Sequence, residues 1–193
     1  MEVSQYKGTT VRASWHQYNG GMYFVTICTK DREHYFGEIS DNVMNLTRVG
    51  DFAEEQFRNV SVHYPYAEIP VWVVMPDHIH LMVIIDHDKI PYERRLVGSA
   101  LVVSRRATTL HGQNQHGDLT PQDIANMQGW LSVVIGGLKS AITKYANENS
   151  IPFAWLPRFY DRIIRDTDEM NSIAEYIENN VAEWNVEMDK NTD

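Results

Sequence analysis

The stretch VWVVMPDHIHLMVII, residues 71–85, holds two apolar runs on either side of a Pro-Asp pair. The runs, Val71–Met75 and His78–Ile85, are rich in valine and isoleucine, which is typical of strands. Proline removes a donor from the strand ladder and aspartate favours turns, so Pro76 and Asp77 separate the two runs. We predict two strands at the centre of a β-sheet.

The segments on either side of this pair alternate between strand and helix patterns. The predicted elements are a strand over Met22–Thr29, a helix from a Thr47 cap to Val60, a helix over Trp130–Tyr145, a strand over Phe153–Ile164, and a helix from the capping pair Asp166 and Glu169 to about Trp184. Their order predicts an α+β fold with helices packed on an antiparallel sheet. Within residues 90–128, Tyr92–Leu110 could form a helix, but His111–Gly117 is polar and has no apolar period, so the segment is interpreted as an inserted loop.

Length and composition favour one domain that spans residues 1–193. The chain has 193 residues, of which 43% are hydrophobic, and this is enough for one sizeable core. The lone Cys28 allows no internal disulfide and no cysteine-rich zinc site, which indicates a reducing compartment. Residues 1–20 are polar and no apolar run reaches the roughly 20 residues of a membrane span, so a cytoplasmic protein without a membrane partner is expected.

Charge is unevenly distributed along the chain. The net charge is −9, which is unfavourable for generic nucleic-acid binding. Between Lys89 and Arg165, however, there are ten basic residues and only five acidic ones. This asymmetry predicts a basic groove on an acidic body, and ordinary surface charge that is unevenly sampled is the alternative.

Two histidines, His78 and His80, interrupt the second apolar run. Residues two apart on a strand point to the same side, so both imidazoles are expected to project from one surface. Such a pair can supply two ligands to one metal ion. The same pattern also arises by chance, and a metal site would need a third ligand from elsewhere in the chain.

The last predicted helix carries the second chemical feature. Tyr176 and Asn180 lie one turn apart on a shoulder of its apolar stripe. A phenol and an amide at this place could supply a nucleophile and a neutral oxygen ligand to one metal. The alternative is structural, with Tyr176 as a half-buried packing residue and Asn180 as a helix cap.

These features occur together with further motifs. The motifs are YFVTICTKDRE from Tyr23, Lys139-Ser140, Tyr160-Asp161 followed by Ile163-Ile164-Arg165, and Tyr176-Ile177-Glu178-Asn179-Asn180. The combination resembles the single-tyrosine HUH transposases, most closely the REP-associated tyrosine transposases of bacteria, and it extends from about Tyr23 to about Trp184. The chain departs from the family pattern at Leu156, at Val181 and in the long segment 90–128.

The resemblance implies a ferredoxin-like antiparallel sheet packed by helices. It implies that His78 and His80 bind Mg²⁺ or Mn²⁺, with Asn180 as the third ligand. Tyr176 would be the nucleophile that cuts single-stranded DNA through a 5′-phosphotyrosine, and reversal of this step would join strands. The expected partner is single-stranded DNA with a hairpin beside the cleavage site.

Basic side chains in the second half of the chain are the candidates for contacts with DNA phosphates. The candidates are Lys139, Lys144, Arg158, Arg162 and Arg165, with Trp155, Phe159 and Tyr160 nearby as residues that stack on bases or pack in the protein.

Two other functions stay open on the sequence. A catalytically silent, domesticated protein would bind hairpins and keep His78, His80 and Tyr176 by descent. A small metal-dependent hydrolase would use water as the nucleophile, with Tyr176 only packing. A monomer and a homodimer are both compatible with the sequence.

Overall fold

A computed structural model describes residues 20–90 and 129–190 of the protein. The loop predicted over residues 90–128 therefore lies, apart from Ile90, outside the described residues. The strands are β1 (Gly21–Cys28), β2 (Gly37–Ser40), β3 (Val43–Leu46), β4 (Ala67–Val74), β5 (His78–Ile85) and β6 (Tyr160–Ile164). The α-helices are α1 (Arg48–Arg58), α2 (Val60–His63), α3 (Trp130–Glu148) and α4 (Thr167–Lys190), and short 3-10 turns lie at Lys30–Arg32 and His87–Lys89.

Four strands form the main sheet in the order β4-β5-β1-β6, and every neighbouring pair is antiparallel. Along the chain, β1, α1, β4, β5, α3 and β6 form a βαββαβ unit. This is the ferredoxin-like arrangement, so the predicted fold class is confirmed. β5 lies inside the sheet as predicted, whereas β4 forms an edge. Pro70 lies in β4 beside a register shift between Glu68 and Val71, and proline in a sheet is typical of edge strands and bulges.

The alternation of side chains gives this sheet two different faces. One face packs against α1 and α3 through strand residues that are fully buried, among them Tyr23, Val25, Ile79 and Leu81. The other face packs against α4 through a smaller apolar cluster of Met82, Ile164, Ile173 and Ile177. The two histidines of β5 alternate with the residues of the main core, so they lie on the α4 face.

The helix caps follow the predictions. Thr47 Oγ1 accepts the N–H of Gly50 at 3.3 Å at the start of α1. Before α4, Asp166 Oδ1 accepts the N–H of Glu169 at 2.8 Å, and the Glu169 carboxylate accepts the N–H of Arg165 at 2.9 Å. These contacts satisfy N–H groups that have no partner within a helix. In the described part of the chain, no helix is both long and apolar enough to cross a membrane.

The hairpin formed by β2 and β3 was not predicted. Asp41 and Asn42 join the strands with φ values of 52° and 59°, the left-handed pair that tight two-residue hairpin turns require. Each strand has only four residues, too few for an alternating pattern to be distinctive. The Asp-Asn pair was the signal in the sequence.

The strand predicted over Phe153–Ile164 was too long, because only Tyr160–Ile164 forms β6. Before β6, Trp155 makes an isolated bridge with Thr29. Pro157 has no N–H donor, and Arg158 has a φ of 70° that turns the chain away from an extended path. Residues 153–159 therefore form a loop beside the end of β1.

Candidate active site

The two histidines lie side by side at the start of β5. Both are buried, with 9% of His78 and 6% of His80 exposed. Their Nε2 atoms are 3.1 Å apart. The two imidazoles therefore project from one surface, and their outer nitrogens converge.

A hydrogen-bond partner lies at the other nitrogen of each ring. Asp77 Oδ1 is 2.6 Å from Nδ1 of His78, and Thr26 Oγ1 is 2.8 Å from Nδ1 of His80. If each Nδ1 carries the proton and donates it to its partner, each Nε2 presents a lone pair. Histidines that bind metals are usually oriented by an outer acceptor in this way.

The spacing of the Nε2 atoms fits a shared divalent cation. Two ligands at right angles on one Mg²⁺ ion, each about 2.1 Å away, are about 3 Å apart. Among the residues that the structure describes, no three side chains of histidine, cysteine, aspartate or glutamate are grouped to hold a metal. A further ligand from these residues would therefore be of another type, such as an amide.

The pKa shifts of His80 and Asp77 favour a neutral imidazole beside an ionised carboxylate. Burial lowers the pKa of His80 well below its ordinary value, and electrostatic interactions with His78 and Arg32 lower it further. Burial alone would raise the pKa of Asp77, but its hydrogen bond with His78 and the nearby positive charges lower that pKa overall. Near pH 7, His80 is therefore neutral and Asp77 is ionised, as metal binding requires.

Helix α4 crosses the histidine pair with side chains spaced one turn apart. The hydroxyl of Tyr176 lies 3.5 Å from Nε2 of His80, and the Trp184 ring lies 5.9 Å from the His78 ring between centroids. Residues 176, 180 and 184 share one side of the helix, so Asn180 lies between the two residues of α4 that contact the pair. Asn180 is buried, whereas 42% of Tyr176 is exposed.

Phe24 contacts both the tyrosine and its neighbouring histidine. Its ring stacks on His80 with 5.1 Å between centroids and meets the edge of the Tyr176 ring at 5.9 Å. The rings of His80 and Tyr176 are themselves 5.4 Å apart. Aromatic packing therefore positions the Tyr176 hydroxyl while leaving it accessible to a substrate.

Lys139, the first of the predicted DNA contacts, connects α3 to the loop before β6. Its ammonium group donates to the carbonyls of Leu156 at 3.0 Å and Arg158 at 2.8 Å, and it lies 5.4 Å from the centre of the Trp155 ring. Burial lowers its pKa. Much of its hydrogen-bonding capacity is therefore used within the protein.

The other four predicted contacts lie at the surface in different surroundings. Lys144 and Arg162 are ion-paired, each with a glutamate of a helix. Arg162 pairs with Phe24 across the sheet and so shares the histidine face. Arg158 and Arg165 are exposed in the loops at the two ends of β6.

Sequence reasoning missed four residues of this site: Asp77, Thr26, Arg32 and Trp184. Asp77 was interpreted only as a turn residue, although it directly precedes His78. Thr26 lies opposite His80 in the pairing of β1 with β5. A threonine within an apolar strand, on the same alternation as the histidine face, was the available signal.

The chain has a ferredoxin-like α+β fold in which a buried histidine pair faces Tyr176 of helix α4. Its sequence similarity to another protein shows the family to which it belongs. It is 32% identical over 179 residues to an uncharacterised protein of Haemophilus influenzae, and the alignment covers 91% of this chain and 88% of that protein. The chain belongs to the family of that protein. No family model matches the chain.

Two solved structures resemble the chain at low sequence identity. A REP-associated tyrosine transposase bound to a REP hairpin is 17% identical, with 93% of this chain and 73% of that chain covered and a TM-score of 0.46. A candidate transposase from Deinococcus radiodurans R1 is 16% identical, with 83% and 90% covered and a TM-score of 0.36. The fold assignment rests on the strand order and pairing of this chain itself.

Proposed function

We propose that this protein is a metal-dependent endonuclease and strand transferase of the transposase type that acts on single-stranded DNA next to hairpins. The contact that supports this most directly is the 3.5 Å distance between the Tyr176 hydroxyl and Nε2 of His80. A phenol beside two converging imidazoles is suited to attack a phosphate held by a metal. The resemblance of the sequence to single-tyrosine HUH transposases supports the choice of substrate.

In this proposal His78, His80 and Asn180 hold a Mg²⁺ or Mn²⁺ ion. Two neutral imidazoles and one amide leave coordination positions for phosphate oxygens. When bound, the ion polarises the scissile phosphate and neutralises part of its developing charge. Asp77 and Thr26 orient the imidazoles through their Nδ1 atoms.

Tyr176 attacks the phosphorus atom with its phenolic oxygen. A bond forms between this oxygen and phosphorus, and the bond from phosphorus to the 3′ oxygen of the preceding nucleotide breaks. The phenol loses one proton to solvent and the departing 3′ oxygen gains one, so the products are a 5′-phosphotyrosine and a 3′-hydroxyl. Attack by a second 3′-hydroxyl reverses the step and joins strands without ATP, because the covalent bond retains the phosphodiester energy.

Basic residues in the second half of the chain would contact the DNA backbone. We expect Lys144, Arg158, Arg162 and Arg165 to bind phosphates and Lys139 to act mainly by holding the loop over residues 153–159. A depression of about 500 Å³ on α3 is lined by Lys139, Lys144 and Trp155, and also by Glu148, the ion-pair partner of Lys144. An aromatic side chain beside basic residues is typical of surfaces that bind single strands.

We further propose that the site is complete within one chain. The Tyr176 hydroxyl reaches His80 of the same chain, and this contact supports a monomer. A homodimer that exchanges α4 would instead place the tyrosine of one protomer at the histidines of its partner.

Covalent capture tests the proposed function. The protein is incubated with Mn²⁺ and labelled single-stranded hairpin DNAs from the sequence flanking its own gene, and the mixture is separated on a denaturing protein gel. We expect label to migrate with the protein and to disappear in Tyr176→Phe. Tyr145→Phe is the matched control, because Tyr145 stacks on Phe52 in the main core and should keep the label.

Two results would contradict the proposal. Hairpin binding without any adduct in the wild type would indicate a catalytically silent recognition protein. Free cleavage products that persist in Tyr176→Phe would indicate a hydrolase that uses water.

A further inference from the structure

The turn after β1 holds an arginine in an unusual backbone conformation. Asp31 and Arg32 have φ values of 54° and 58°, in the left-handed region that few residues other than glycine adopt. Aspartate is among the residues that tolerate this region, whereas arginine gains no local compensation there. Backbone strain of this kind clusters at functional sites.

The side chain of Arg32 contacts the residues that support His78. Its Nη1 lies 3.3 Å from Asp77 Oδ2 and donates to Cys28 Sγ at 3.5 Å. The other oxygen of Asp77 lies 2.6 Å from Nδ1 of His78, and Cys28 pairs with His78 across β1 and β5. A single carboxylate therefore separates the guanidinium group from the histidine pair.

The ion pair with Asp77 does not by itself account for an arginine at this position. The Asp77 side chain is 8% exposed, but that of Arg32 is 62% exposed, and ion pairs with an exposed partner contribute little to stability. Both contacts of Arg32 use Nη1, while a guanidinium group carries five N–H donors on three nitrogens. The remaining N–H donors belong to a side chain that is mostly exposed and that reaches the histidine pair only through Asp77, on the Nδ1 side of His78.

We propose that Arg32 binds a phosphate group of single-stranded DNA at the His78 end of the site. This inference rests on the proposed function and adds a residue to it. A guanidinium group binds a phosphate through two parallel hydrogen bonds when its orientation is fixed. Asp77 fixes it by holding Nη1, so one carboxylate orients both the phosphate-binding arginine and the histidine. The DNA backbone and His78 would thereby be linked through two side chains, Arg32 and Asp77.

Arg32→Gly is the decisive variant because glycine relieves the left-handed strain instead of adding to it. The variant is therefore expected to fold, and thermal unfolding checks this. Asp31→Gly is the matched control, since it makes the same backbone change at the neighbouring residue without removing a guanidinium group. Arg32→Lys keeps the charge but loses the planar fork.

Adduct formation and DNA affinity are then measured with the hairpin DNA and Mn²⁺. We expect Arg32→Gly to lower both the adduct rate and the affinity about 10- to 100-fold, the usual effect of losing a charged hydrogen-bond pair. The slope of log affinity against log salt should fall by about 0.7, which corresponds to one phosphate contact on a single strand. Asp31→Gly should not weaken binding or slow adduct formation, and Arg32→Lys should lie between Arg32→Gly and the wild type.

The outcomes separate this inference from the proposed function. If the wild type forms an adduct and Arg32→Gly forms it equally fast, the role of Arg32 is wrong and the proposed function stands. If the wild type binds DNA without an adduct, a lower salt slope in Arg32→Gly supports the phosphate contact, and an unchanged slope overturns it. If the wild type does not bind single-stranded DNA, both proposals fail.

Discussion

The two faces of the main sheet use the same strands in different ways. On one face, α3 buries eight of its 19 residues against a core shared with α1. On the other, α4 has 24 residues, and between Thr167 and Trp184 it buries only Ile173, Ile177 and Asn180. Stability is therefore concentrated on the α3 face and the candidate chemistry on the α4 face. Because strand residues alternate, β5 contributes to both without sacrificing core positions.

The largest difference between the two faces is expected from replacing adjacent residues of β5. His80→Ala should lower adduct formation by more than about a thousandfold because it removes one of the proposed metal ligands. Leu81→Ala, at a fully buried position of the main core, should lower the free energy of unfolding by about 2–5 kcal/mol and leave adduct formation by the folded protein intact. Urea denaturation without metal and the covalent-capture assay measure the two effects.

Two results would contradict the separation of stability and chemistry between the two faces. A loss of stability in His80→Ala as large as that in Leu81→Ala would mean that the histidine face also holds the fold together. A folded Leu81→Ala protein without activity would mean that the two faces are coupled through β5.

Asp77→Asn tests whether the residues of the α4 face that support His78 contribute to metal binding. The amide keeps the size of the carboxylate but removes the charge that orients His78, so the affinity for Mn²⁺ should fall about 10- to 100-fold. Isothermal titration with Mn²⁺ measures this. Asp51→Asn, at an exposed position of α1, is the control and should bind Mn²⁺ like the wild type. An unchanged affinity in Asp77→Asn would exclude Asp77 as the support of a metal ligand.

The smallest expected effects concern two adjacent glycines of α3. A Cβ atom at Gly137 would lie 1.7 Å from the Tyr64 hydroxyl, whereas at Gly136 nothing lies within 4 Å. Gly137→Ala should therefore lower the free energy of unfolding by about 1–3 kcal/mol, and Gly136→Ala should raise it by about 0.5–1 kcal/mol through helix propensity. Thermal unfolding gives both signs. Stabilisation by both changes would mean that Tyr64 moves aside at little cost.

Much of the fold could be predicted because its main elements are long enough for their periods to appear. The eight-residue strands β1 and β5 and the helices α1 and α3 were all found, and two helix starts followed from capping residues. The hairpin of β2 and β3 was missed because a strand of four residues is too short to show a distinctive alternation of apolar and polar residues. The aromatic residues of Phe153–Ile164 predicted one continuous strand. Pro157 and the left-handed Arg158 interrupt it, so β6 begins only at Tyr160.

The candidate site was predictable only in part. Alternation along β5 places His78 and His80 together without any knowledge of the tertiary structure. The partners of His80 are distant in sequence, since Thr26 lies 54 positions and Tyr176 lies 96 positions from it. Such contacts depend on strand register and on the placement of α4, which periodicity does not give. The position of Tyr176 beside Asn180 on the last helix suggested a nucleophile, and the family resemblance gave it the specific role in cutting DNA.

The small apolar cluster beneath α4 also has a consequence for motion. Backbone amides of a helix that buries few side chains exchange with solvent through local opening, whereas those of a well-buried helix such as α3 exchange only when the whole domain unfolds. If Asn180 is a metal ligand, ion binding slows amide exchange along α4, because the ion favours the closed helix. The free energy of opening α4 then determines the fraction of molecules in which Tyr176, the proposed nucleophile, lies beside His80.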